Sequence, residues 1–202
     1  MLDYERRFWA EGVTAIAGID EVGRGCLFGD VVAAAVIMPV DMQIEGITDS
    51  KKLSEKKREA FYEHIVSDAI AYGIGRVDAS MVDTLNIKQA ARLAMKLAVE
   101  QLQVQPEQLL IDAETIDSDI PQLAVIKGDQ LSHSIAAASI LAKVTRDRLC
   151  VEWDRLYPEY GIAIHKGYAT ELHRKQIRTF GPSPLHRKSF LKNVMNEQLE
   201  LF

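Results

Sequence analysis

Three apolar stretches of this 202-residue chain run straight into carboxylates. Thr14-Ala-Ile-Ala-Gly-Ile-Asp20 leads into Asp20-Glu21, Leu109-Leu-Ile-Asp112 ends on its own acid, and Leu123-Ala-Val-Ile126 is followed three residues on by Asp129. Short apolar runs of this kind, bounded by turn residues, predict buried strands. A strand buried on both faces cannot cheaply carry a charge at its centre, so the acids mark strand ends. In an α/β sheet ligands gather beyond such ends, and acids far apart in sequence can meet there.

The rest of the chain supplies the helices an α/β core requires. Asp30 to Met38 and Tyr72 to Asp78 read as two further strands, giving five. A short helix is predicted over Asp3 to Glu11, one from an N-cap at Ser54 to about Ala71, one over Asn86 to Gln103 with Ile87, Ala91, Ala94, Leu97, Ala98 and Leu102 at helical spacing, and a long alanine-rich one from about Gln130 to Trp153. There is no internal repeat and no Ser/Gly linker. No sharp boundary can be drawn; the soft one lies near residue 150, dividing an α/β core over 1–150 from a helical region over 151–197 and a tail over 198–202.

Composition narrows the function classes. With 48% hydrophobic residues the chain can bury one domain's core. The longest apolar run, Val31 to Val40, is far shorter than the ~20 residues of a membrane helix. The charged N-terminus lacks a signal-peptide pattern, and two cysteines, Cys26 and Cys150, make neither a disulfide framework nor a zinc cluster; the expected location is the cytoplasm. Net charge is -5, yet from Gly161 to Lys192 seven Lys and Arg face the single acid Glu171, which predicts a local field suited to a polyanion.

Asp20, Glu21, Asp112 and Asp129 together suit hard divalent cations such as Mg²⁺ or Mn²⁺, and two ions about 4 Å apart can stabilise both the attacking and the leaving oxygen in phosphodiester hydrolysis. Each acid also has a plainer reading. Asp129 could simply cap the helix it opens, and Asp112 could make a local turn. Asp20 and Glu21, being adjacent, should point to opposite faces unless the strand bends or ends there. Gly23-Arg24-Gly25 is a tight turn whose backbone could come close to a sugar and phosphate. Lys51 could contact a phosphate or be a solvated loop lysine, and Tyr168 could be a core aromatic or stack on a nucleotide. His165, His173 and His186 lack metal-ligand spacing, and surface or capping roles are expected for at least two of them. Cys26 has no activating partner in sequence and is not expected to be a nucleophile.

Gly18-Ile-Asp-Glu-Val-Gly-Arg-Gly25, Asp49-Ser-Lys-Lys-Leu-Ser54, Leu110-Ile-Asp112, Lys127-Gly-Asp-Gln130, Ala136-Ala-Ala-Ser-Ile-Leu-Ala-Lys-Val144, His165-Lys-Gly-Tyr168 and Gly181-Pro-Ser-Pro-Leu-His-Arg187 occur in this order. In these segments the chain closely resembles the bacterial ribonuclease HII family. The resemblance implies an RNase H-like fold, a five-stranded mixed sheet flanked by helices, and a helical C-terminal region. It implies an endonuclease that cuts the RNA strand of RNA/DNA hybrids and nicks DNA on the 5′ side of embedded ribonucleotides, leaving 5′-phosphate and 3′-hydroxyl ends. It gives Asp20, Glu21, Asp112 and Asp129 the metal ions, Gly23, Arg24 and Gly25 the ribose 2′-hydroxyl, Lys51 a phosphate, and Tyr168 the sugar beyond an RNA-to-DNA junction. Phe28, Asp30, Ala113 and Glu114 depart from the family pattern; Glu114 is expected to bring another carboxylate near the metals, and Asp30 to weaken phosphate approach if it faces the groove.

The chain ends Gln198-Leu-Glu-Leu-Phe202, which resembles the peptide by which bacterial replication enzymes dock on the sliding clamp. That implies Leu199, Leu201 and Phe202 in an apolar pocket with Gln198 as a polar anchor. A monomer is expected. The rival readings are a metal nuclease that ignores the sugar and an inactive hybrid-binding or clamp-adaptor protein.

Overall fold

The fold is that of a computed structural model in which residues 1–47, 50–192 and 194 are described, without the side chain of Lys51. The elements are α1 (Asp3–Ala10), β1 (Ile16–Val22), β2 (Val31–Ile37), α2 (Glu55–Asp68), β3 (Ala71–Val77), α3 (Ala79–Leu85), α4 (Ile87–Glu100), β4 (Gln108–Asp112), β5 (Gln122–Val125), α5 (Gly128–Leu131), α6 (His133–Leu156), α7 (Ile162–His165) and α8 (Glu171–Phe180). The five strands form one sheet in the order β3-β2-β1-β4-β5. β1, β2 and β3 are antiparallel neighbours, while β4 and β5 run parallel to β1, so the mixed sheet expected from the sequence is present.

Both faces of this sheet are covered, which is why β2 is apolar throughout and buried at every residue. On one face Ala17, Ile19, Ala33, Ala35, Leu109 and Ile111 pack with Ala90, Ala91, Ala94 and Ala98 of α4. On the other, Ala34 and Val36 pack with Ile65 of α2 and with Ala137, Ile140 and Leu141 of α6. The alanine stripe lets α4 lie almost flush on β3: a Cβ at Gly75 would stand 1.9 Å from the Ala94 carbonyl oxygen. No described helix is long and apolar enough to cross a membrane.

Two local features depart from the sequence reading. The strand expected to end at Asp78 is followed at once by α3, whose N-cap is Asp78 itself, accepting from the Met81 amide. The single helix expected from Gln130 to Trp153 is two, broken at Ser132, which turns extended (φ -116°, ψ 130°) and caps α6 by accepting from the Ile135 amide. Alanine content signals helix but is silent on a one-residue break. α6 then runs unbroken through residue 150, and its second half joins Leu27, Phe28, Tyr160, Ile162 and Ile177 in a separate apolar cluster that fixes α7 and α8 beside the loop between β1 and β2.

Candidate active site

The register brings the acids together. β1 pairs in parallel with β4 through Gly18 with Leu110 and Ile19 with Ile111, so the next residues, Asp20 and Asp112, stand side by side where β4 ends. β1 does not stop at Asp20; it continues to Val22 along β2, and Glu21 follows on the opposite face of the strand. The strand-end condition is thus met by β4 stopping short of β1. Asp112 Oδ1 accepts from the Gly128 amide at 2.7 Å, which draws the start of α5, and with it Asp129, towards the strand ends. Asp129 is not a cap: the N-cap position is Lys127, in a left-handed conformation, and no side chain caps α5.

Electrostatics at this corner are unfavourable for bare carboxylates. Burial raises the Asp20 carboxyl well above its ordinary range, and repulsion from Glu21 and Asp112 adds to this; hydrogen bonds from Ser139 and from the Glu21 amide (2.7 Å) oppose it. Burial also pushes Glu21 up to about 7, against the pull of Arg24, whose guanidinium lies 3.2 Å away. Among the described residues no group of three or more acid, imidazole or thiol side chains is arranged so that it could hold a metal ion as it stands. The donor chemistry nonetheless fits a hard divalent cation, since converging carboxylate oxygens held against their own repulsion are what such an ion offsets.

Beside the acids, the Gly23-Arg24-Gly25 turn rests on two fully buried arginines that the sequence reading did not single out. Arg187 Nη1 donates to the carbonyls of Gly23 (2.7 Å), Arg24 (3.1 Å) and Cys26 (2.8 Å), while Nε and Nη2 reach Gly29 at 3.0 and 2.8 Å. Arg146 donates to the carbonyls of Asp30, Lys166 and Phe28 at 3.0, 2.8 and 2.9 Å. A Cβ on Gly23, at φ +93°, would fall 2.3 Å from Arg146 Nε, so the turn needs glycine both for its conformation and for its contact. In a trans peptide the carbonyl and the next amide point opposite ways. Carbonyls of Gly23 and Arg24 turned inward to Arg187 therefore turn the amides of Arg24 and Gly25 outward, and neither amide has a partner among the described residues. Burial brings Arg187 down to about 10, which leaves it charged at neutral pH. Arg146 had a sequence signal: with Ala142, Cys150 and Trp153 it lies on the buried stripe of α6, where an arginine needs a reason.

Tyr168 is 41% exposed, so it is not a core aromatic. Its segment is tied to the turn, since the Leu27 amide donates to the Gly167 carbonyl at 2.8 Å. Cys26 is buried and its thiol is raised by that burial, which suits no nucleophile. Lys51 lies in a 3-10 turn over Ser50–Lys52, and Arg58 donates to the Ser50 carbonyl and to that of Leu53 just beyond the turn; the Lys51 side chain, like Gln198, Leu199, Leu201 and Phe202, is outside the described residues. The histidines are corrected outright: His165, His173 and His186 are all buried, because helical and turn spacing turn them inward onto one another. The departures are absorbed as well. Asp30 pairs with Arg76 at 2.8 and 2.9 Å, and Phe28 packs edge-on to His186. Burial alone would raise Glu114, but Arg92 at 2.8 Å and Lys88 at 3.8 Å outweigh it, so its charge is spent on α4. A groove of about 620 Å³ between α4 and the segment after β4 includes none of the four site acids.

Comparison with known proteins identifies the family. The family model for Ribonuclease HII matches residues 17–193. A ribonuclease HII of Alkaliphilus metalliredigens is 56% identical over 200 residues, covering 96% of this chain and 98% of its own. Among solved structures, the ribonuclease HII of Archaeoglobus fulgidus, in complex with PCNA, superposes with a TM-score of 0.73 at 24% identity, over 93% of this chain and 100% of that one. Bst-RNase HIII, in complex with Mn²⁺, gives a TM-score of 0.67 at 20% identity over 95% and 72%. With the family model covering nearly all of the described core and more than half of the residues shared with a full-length relative, the chain belongs to the ribonuclease HII family of ribonuclease H enzymes.

Proposed function

We propose that this enzyme hydrolyses the RNA strand of RNA/DNA hybrids and nicks duplex DNA on the 5′ side of embedded ribonucleotides, releasing 5′-phosphate and 3′-hydroxyl ends. The observation that carries the reading is the juxtaposition of Asp20 with Asp112 at the ends of paired strands, with Glu21 adjoining and Asp129 drawn in through Gly128. Asp20, Glu21, Asp112 and Asp129 would hold two divalent ions, Mg²⁺ or Mn²⁺, in keeping with a Mn²⁺ complex of a protein on the same fold. When bound, such ions neutralise the charge that develops on the transferred phosphate and its neighbouring oxygens.

The chain's own residues supply selectivity. Only the 2′-hydroxyl distinguishes RNA from DNA at a given nucleotide. The outward amides of Arg24 and Gly25 would donate to it, and a larger residue in place of Gly23 would displace the turn. Tyr168 would pack on the sugar beyond the junction, Lys51 on a phosphate, and residues 151–197 would carry most of the substrate contacts outside the 1–150 core. The C-terminal tail, with Gln198, Leu199, Leu201 and Phe202, would dock on the bacterial sliding clamp; an archaeal relative has been solved with PCNA. The enzyme would act as a cytoplasmic monomer. The test is hydrolysis of an RNA/DNA hybrid beside an all-DNA duplex of the same sequence. Cleavage of the hybrid alone is expected, and equal cleavage of both would favour a nuclease that ignores the sugar.

A further inference from the structure

Behind Tyr168 lie three buried imidazoles, two of which, His173 and His186, form a hydrogen-bonded pair with one possible proton arrangement. His173 Nδ1 lies 2.9 Å from the Tyr168 carbonyl oxygen, which can only accept. His186 Nδ1 lies 2.9 Å from the Ser183 amide, which can only donate. The two Nε2 atoms face each other at 3.1 Å. With His173 donating from Nδ1 and His186 accepting at Nδ1, one proton is left between the Nε2 atoms, and it belongs to His186. An added proton would place two N–H groups head to head in a dry site. Burial favours the neutral rings, lowering His173 to about 4 and His186 to about 3. His165 completes the set: it stacks on His173 at 4.2 Å, bonds the Tyr160 carbonyl through Nε2, and accepts from the Gly167 amide at Nδ1.

The chain holds a strained turn. Lys166 (φ +53°) and Gly167 (φ +82°) are consecutive left-handed residues directly before Tyr168. Such a conformation persists where its surroundings over-determine it. Here His165 binds the Gly167 amide and His173 the Tyr168 carbonyl, so the imidazoles grip both peptide groups flanking the turn's exit.

We infer that His173 is a positioning residue for Tyr168, and that the Ser183–His186–His173 chain sets where the tyrosine ring meets the substrate sugar. The inference rests on the reading of Tyr168 as the sugar-packing residue. The test compares His173→Leu, His173→Asn, Tyr168→Ala and the His173→Leu/Tyr168→Ala double variant on a DNA duplex with one ribonucleotide. His173→Leu should raise KM about tenfold with kcat little changed, the signature of lost binding rather than lost chemistry. His173→Asn, whose amide N–H can take the place of Nδ1–H, should restore most of it. In the double variant the effect should match that of Tyr168→Ala alone. An asparagine variant no better than leucine, or additive effects in the double variant, overturns the inference while Tyr168→Ala still raises KM. An unchanged KM for Tyr168→Ala sinks the reading of Tyr168 and the inference with it. Should the leucine variant fail to fold, ring ¹⁵N resonances of the wild-type protein decide: protonation at Nδ1 of His173 and Nε2 of His186 is expected, and the reverse tautomer of His173 overturns it.

Discussion

Glu21 shows how a single side chain links stability to pH. Its carboxyl is raised from 4.5 to about 7, so between those values the folded protein holds a proton that the unfolded chain has released. The stability this gives is complete below about 4.5 and is lost as pH rises through 7. Glu21→Gln does not titrate. In metal-free buffer its advantage over the wild type should grow from pH 5 to 8, approaching about 3 kcal/mol at roughly 1.4 kcal/mol per unit; parallel melting curves across that range would contradict the raised carboxyl. Arg187 makes a second prediction. A lysine there keeps the charge but not the fork that spans four carbonyls, so Arg187→Lys should lose about 2 kcal/mol or more of stability and lower cleavage of ribonucleotide-containing DNA more than tenfold; melting and kinetics together check it. The acids were legible in the sequence because apolar strands running into carboxylates are conspicuous. Arg187 was not, since its partners are backbone carbonyls some 160 residues away that no side-chain pattern records.

At the scale of elements, the turn after β4 carries strain that one substitution should relieve. Ala113 adopts φ +51°, a left-handed conformation costly for any residue with a Cβ. Ala113→Gly should raise stability by about 0.5–1 kcal/mol in denaturant unfolding, the relief exceeding the added freedom of the unfolded glycine. The link between α8 and the segment after it responds to acid. The folded values of His173 and His186, about 4 and 3, lie below the ordinary 6.5, so their contribution is whole above 6.5 and is lost as pH falls through those values. The groups facing these rings include the Ser183 hydroxyl and amide, the Tyr168 carbonyl, Phe28, Tyr160 and His165, none a carboxylate that would rescue the charged form. A His186→Gln variant should therefore lose less stability than the wild type between pH 6.5 and 4, and equal losses would contradict the neutral pair. The long elements were readable from period and composition. α3 and the break at Ser132 were not, because both are decided by a single capping side chain, Asp78 or Ser132, that reads equally well as an ordinary loop residue.

For the whole molecule, the sheet supplies three of the carboxylates, α5 the fourth, and the C-terminal helices the wall beside them, joined by Arg146 and Arg187 through backbone carbonyls rather than through ion pairs. The selectivity proposed above would thus depend on how those two parts hold the Gly23-Arg24-Gly25 turn, and the proposed chemistry on a corner where Asp20, Glu21 and Asp112 repel one another. Deleting Gln198 to Phe202 should leave cleavage in solution unchanged and abolish capture by the bacterial sliding clamp; capture that survives the deletion would remove the tail from the account. The most direct measurement of the central claim is end-mapped cleavage of a DNA duplex containing one ribonucleotide, with Mg²⁺ or Mn²⁺ and with chelator, for the wild type and Asp20→Asn. The expected result is a single metal-dependent nick on the 5′ side of the ribonucleotide, leaving 5′-phosphate and 3′-hydroxyl ends, and its loss in the variant with binding retained. Cleavage that persists in chelator or in Asp20→Asn, or that falls equally at deoxyribonucleotides, would contradict it.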